Sequence, residues 1–76
     1  MSKLALIKPR RLVKIVLSLG FLKRDAEGSH IFFAHPDGRT TVIPIHNREL
    51  SRGLLKKILN DVNLSISEYD KLRKIY

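Results

Sequence analysis

A proline-led turn between two β-patterned runs most constrains how this chain folds. Residues 36–38 read Pro-Asp-Gly, in which proline presets φ, Asp bonds locally and Gly accepts positive φ. Residues 30–35, His-Ile-Phe-Phe-Ala-His, precede it, and the β-branched run Thr40-Thr41-Val42-Ile43 follows. Two strands joined so tightly must pair antiparallel. A third run, Phe21-Leu22-Lys23-Arg24, predicts another strand, joined to the second by a loop over residues 25–29.

Helical patterns flank these strands. Pro9 suits a helix start, and Leu12, Val13, Val16, Leu17 and Leu19 make an apolar stripe that Gly20 terminates. Leu54, Leu55, Ile58, Leu59 and Val62 form a second stripe. Ser65-Ile66-Ser67-Glu68 reads as a capping box opening a short last helix, with Ile66, Tyr69 and Leu72 at helical spacing. The expectation is one α+β domain over residues 1–76, with residues 1–7 as an N-terminal tail. Its order is helix, three-stranded antiparallel sheet, helix and short C-terminal helix, with the helices on one face. This is the layout of the double-stranded-RNA-binding fold.

Alternation on the second strand puts Ile31 and Phe33 on one face and His30, Phe32 and Ala34 on the other. If the first pair faces the helices, His30 and Phe32 lie on the open face. Either another molecule covers Phe32 there, or the C-terminal helix or the N-terminal tail lies across it.

Charge narrows the function. Fifteen Lys and Arg against seven Asp and Glu give a net charge of +8, which favours phosphate-bearing partners. Aromatic residues are 7% of the chain, too few for a base-stacking platform. There is no cysteine, which excludes disulfides and thiolate metal sites and fits a reducing cytoplasm. The apolar run Leu4-Ala5-Leu6-Ile7 is too short for a signal sequence or a membrane span. Arg10 and Arg11 sit at one helix start and Arg52 at another, where cations oppose the macrodipole unless a phosphate docks there. Lys23, Arg24 and Arg39 extend this candidate RNA-binding track.

Three histidines, His30, His35 and His46, bring groups able to move protons near neutral pH. His35 reads as a turn residue that satisfies a local hydrogen bond. His46 reads as a residue that orients residues 47–50 or supports phosphate binding. His30 follows Gly28-Ser29, whose small side chains allow close approach of a polynucleotide, with Ser29 as a contact. Cleavage of RNA by its own 2′-hydroxyl needs one such proton acceptor plus cations at the phosphate, and no metal or cofactor. Zinc ligation is remote at this histidine spacing. A domain that binds structured RNA by shape, without chemistry, is the alternative.

These segments together resemble the HicA-like (YcfA-type) mRNA interferase toxins of type II toxin–antitoxin systems. The resemblance runs from about residue 8 to residue 66. It is carried in order by Leu19-Gly20-Phe21, Gly28-Ser29-His30, His35-Pro36-Asp37-Gly38-Arg39, Val42-Ile43-Pro44-Ile45-His46, Glu49-Leu50 and Gly53-Leu54-Leu55-Lys56-Lys57-Ile58-Leu59. It implies a small ribosome-independent endoribonuclease acting on mRNA, with one catalytic histidine that maps onto His30. It also implies a HicB-like antitoxin that covers His30 and Phe32. Two positions depart from the family pattern: Ile31 stands where members often carry a second histidine, and Ala34 where they carry a basic residue.

Overall fold

In the computed structural model, which describes residues 4–76, the first helix, α1, is Pro9–Ser18. Its inward stripe is Pro9, Leu12, Ile15 and Val16. The stripe thus differs from the sequence expectation at two places: Ile15 is inside, whereas Leu17 is 47% exposed. Counting from Leu12, Ile15 and Val16 fall at i+3 and i+4, and Leu17 falls past the apolar face. Gly20 closes the helix at φ 96. The Phe21 N–H bonds the Val16 carbonyl and the Gly20 N–H bonds the Leu17 carbonyl, a Schellman termination. A Cβ at Gly20 would stand 3.0 Å from His35 Nε2, so this glycine answers both to backbone strain and to space.

Three strands follow, β1 (Leu22–Glu27), β2 (His30–Ala34) and β3 (Thr40–Pro44), in an antiparallel sheet of order β1-β2-β3. β1 is longer than the sequence suggested. Asp25, Ala26 and Glu27 belong to the strand, and only Gly28 and Ser29 turn the chain. The reason is Gly28, whose φ of 60 at the first central position permits a two-residue turn with the twist of the flanking strands. A β-bulge between Lys23 and Asp25 leaves Arg24 as the extra residue.

Helix α2 (Arg52–Asp61) is capped by Ser51, whose hydroxyl accepts the Leu54 N–H at 3.3 Å. Helix α3 (Ile66–Arg73) opens on the expected capping box of Ser65 and Glu68. Both α1 and α2 pack on β3, and α3 packs on α1. The core they share with the sheet includes Leu12, Ile15, Phe21, Phe33, Ile43, Leu55, Ile58 and Tyr69. The α+β architecture is therefore the one expected.

Residues 4–7, within the expected tail, form no helix or strand, yet Leu4 and Ile7 are buried. The Leu50 N–H bonds the Ile7 carbonyl at 2.9 Å. From the other end of the chain the Tyr69 hydroxyl donates to the Ala5 carbonyl. Arg11 donates to the carbonyls of Arg73, at the end of α3, and of Tyr76 beyond it. Tyr69→Ala should therefore cost about 3–5 kcal/mol, as truncation of a buried aromatic does. Tyr69→Phe, which loses only the hydroxyl bond, should cost about 0.5–1.5 kcal/mol. Urea unfolding of the two variants measures both; equal costs would show that ring packing contributes little.

Candidate active site

Burial of Phe33 and Ile43, with Ile31 packed against the core, fixes which way β2 faces. His30, Phe32 and Ala34 then point to the opposite, uncovered side. Phe32 is half-buried and is not part of the helix-side core. The described N-terminal segment and α3 both join the core on the helix side. Phe32 therefore stands on the open face.

His30 is the first residue after the Gly28-Ser29 turn, opposite Glu27 on β1 and Pro44 on β3. The Ile45 N–H bonds the Ser29 carbonyl at 2.7 Å, extending the β2–β3 ladder one residue beyond His30. A two-residue turn on one side and a ladder bond on the other leave the His30 backbone little freedom.

The three histidines differ in what they hold. His35 Nδ1 accepts the Asp37 N–H at 3.1 Å, and Nε2 lies 3.2 Å from the Leu19 carbonyl, to which it donates. Asp37 Oδ1 is also 3.0 Å from Nδ1, and the Arg39 N–H and guanidinium bind that carboxylate. The ring packs edge-on against Phe21 with centroids 5.1 Å apart. His35 is thus a strut between the β2–β3 turn and the end of α1. His46 Nδ1 accepts the Arg48 N–H at 3.2 Å and orients the loop before α2. His30 has neither kind of contact: among the described residues its exposed imidazole makes no hydrogen bond.

The basic residues divide in the same way. Arg39 donates to the Asp37 carboxylate at 2.8 Å and to the Val62 carbonyl, with its guanidinium 5.1 Å above the Phe21 ring. Arg11 is committed to the carbonyls at the end of α3. Two members of the expected RNA-binding track therefore work inside the fold. Arg10, Lys23, Arg24 and Arg52 are exposed, as is Ser29.

Chain direction gathers several features at the His30 end of the sheet. The bond from Leu50 to Ile7 sets the segments before α1 and α2 side by side. The opposite end holds Asp61, bonded to Thr41 at 3.1 Å, Val62, bonded to Arg39, and Leu19, bonded to His35. Both long helices thus begin at the end where β2 starts with His30 and β3 finishes at Pro44. Neither has an acidic residue in its first turn, and α1 has no side-chain cap, so no carboxylate within those turns opposes an anion at the helix starts. Among the described residues no group of three His, Asp or Glu side chains gathers as a potential metal site. No helix there is long and apolar enough to cross a membrane.

Sequence reasoning missed Asp25 and Glu27, which it left in a loop. The signal was present: Gly-Ser between two β-patterned runs is a two-residue hairpin pattern, and it carries β1 through Glu27, directly opposite His30.

The result is a small basic α+β protein with one unbonded imidazole at the corner of an open sheet. The family described as HicA toxin of bacterial toxin–antitoxin matches residues 9–64, and the chain belongs to that family, as a toxin with an antitoxin partner. Comparison with curated proteins finds no match.

Asp37 gives this region a pH dependence. The hydrogen bond from the Arg39 N–H, partly opposed by burial and reinforced by the Arg39 guanidinium, holds its carboxyl below the ordinary range. A carboxyl depressed in the folded state stabilises above its unfolded pKa, about 3.9, and loses that contribution as pH falls through its folded value. Thermal unfolding of Asp37→Asn should show a shallower loss of stability as pH falls below about 4 than the parent does. Parallel curves would show that the turn does not depend on this charge.

Proposed function

We propose that the chain is an mRNA interferase, an endoribonuclease in which His30 moves the proton of cleavage. The observation that carries this reading is the contrast among the histidines: His35 and His46 hold backbone, while His30 is rigidly placed, exposed and unbonded. His30 takes the proton of a ribose 2′-hydroxyl, and that oxygen attacks the adjacent phosphorus. The bond to the 5′-oxygen breaks, and that oxygen leaves with the proton returned from the imidazolium. The reaction leaves a 2′,3′-cyclic phosphate and a 5′-hydroxyl and consumes no metal or cofactor.

Arg10 and Arg52, at the two helix starts, supply cations to the phosphate, and Lys23 and Arg24 extend the positive surface along β1. Ser29, small and exposed beside His30, leaves room for the nucleotide backbone. Destruction of mRNA would inhibit translation in the cytoplasm, and a HicB-like antitoxin that covers His30 and Phe32 would prevent it.

The test is degradation of RNA by purified protein in EDTA, comparing the parent with His30→Ala. Loss of a general acid–base group should slow cleavage by about 10²–10⁴-fold, with unchanged thermal unfolding. Equal cleavage by both proteins would remove His30 from the mechanism. RNA binding without cleavage by either would instead favour a non-catalytic RNA-binding domain.

A further inference from the structure

Strand register makes the open face of the sheet a grid of nine residues. Its rows are Leu22, Ala34 and Thr40; Asp25, Phe32 and Val42; and Glu27, His30 and Pro44. The bulge at Arg24 creates this set, because it brings Leu22 onto the same face as Asp25 and Glu27. Leu22 is 59% exposed, and Phe32 and Val42 form a cross-strand apolar pair outside the core. No lysine or arginine occupies any of the nine positions, in a chain with fifteen of them.

The two carboxylates are also uncommitted. Ion pairs among the described residues use Asp37, Asp61 and Asp70, and involve neither Asp25 nor Glu27. Asp25 Oδ1 accepts only the neighbouring Ala26 N–H, at 2.8 Å. A face of this composition offers a polyanion no lysine or arginine. Its apolar strip flanked by a column of free carboxylates complements a protein segment with an apolar side chain beside Arg or Lys.

We propose that Asp25 and Glu27, beside the antitoxin-covered His30 and Phe32, recognise arginine or lysine side chains of that partner. The assignment rests on the preceding reading, in which the antitoxin covers His30. RNA and antitoxin then approach from different sides: RNA from the cationic end formed by the helix starts, the antitoxin across the sheet. They compete only at the His30 corner.

The experiment is calorimetric titration of the toxin with the purified antitoxin encoded beside its gene, for the parent and for Asp25→Lys/Glu27→Lys. The double variant should bind about tenfold or more weakly, and parent binding should weaken as salt rises from about 0.05 to 0.5 M. Asp25→Asn/Glu27→Gln, which keeps shape and removes charge, should fall between them. Thermal unfolding of each variant separates lost recognition from lost fold. Undiminished affinity of the double variant would overturn the proposal, as would failure of the antitoxin to bind the parent. A dimer of the free toxin in sedimentation that Val42→Asp abolishes would give the face to a second copy instead. RNA crosslinks to Phe32 or Val42 would give it to RNA. Cleavage assays on the same samples keep the two readings apart. An inactive parent that still distinguishes the variants by antitoxin affinity refutes the nuclease, not the docking face.

Discussion

Everything at the site depends on one parity. Phe33 and Ile31 must face the helices, so His30 and Phe32 must face away. A strand with one buried face cannot slip by a residue, because the slip would bury an imidazole and expose a phenylalanine. The same packing that stabilises the domain therefore fixes the direction of the proposed catalytic group. Two further constraints hold it along the strand: the Gly28-Ser29 turn and the bond from Ile45 to Ser29.

Around this sheet the charged residues have separate tasks. Arg39 joins the β2–β3 turn to the end of α2 while covering Phe21, and Arg11 joins α1 to the end of α3. Both are buttresses that a count of net charge cannot tell from phosphate ligands. The exposed cations at the helix starts are left for the proposed RNA, and the carboxylates of β1 for the proposed antitoxin contact. A net charge of +8 thus averages over surfaces of opposite character.

Much of this was legible in the sequence because local rules and tertiary packing agree. The Ser65–Glu68 box, Pro9 at a helix start, Gly20 at a helix end and the Pro-Asp-Gly turn each specify backbone geometry within a few residues. The grouping of His30 with Phe32 and Ala34 followed from alternation, and the burial of Phe33 and Ile43 decided which group faces out. What escaped was non-local. Nothing adjacent to Leu4 and Ile7 announces that Leu50 and Tyr69 will complete their packing. Nothing near Arg39 announces the Val62 carbonyl, 23 positions on. The length of β1 was missed for a different reason. Acidic residues weigh against strand by propensity, but this strand is exposed throughout and tolerates them.

The bulge in β1 has a consequence beyond re-aiming Leu22. A three-stranded sheet ends in unpaired edges, and an edge of free amides and carbonyls can template pairing with a strand of another molecule. β1 is blunted on two counts: four of its six residues, Lys23, Arg24, Asp25 and Glu27, are charged, and the extra residue at Arg24 breaks its regular hydrogen-bonding rhythm. The β1 edge is thereby blunted against edge-to-edge pairing even though the face beside it is left open.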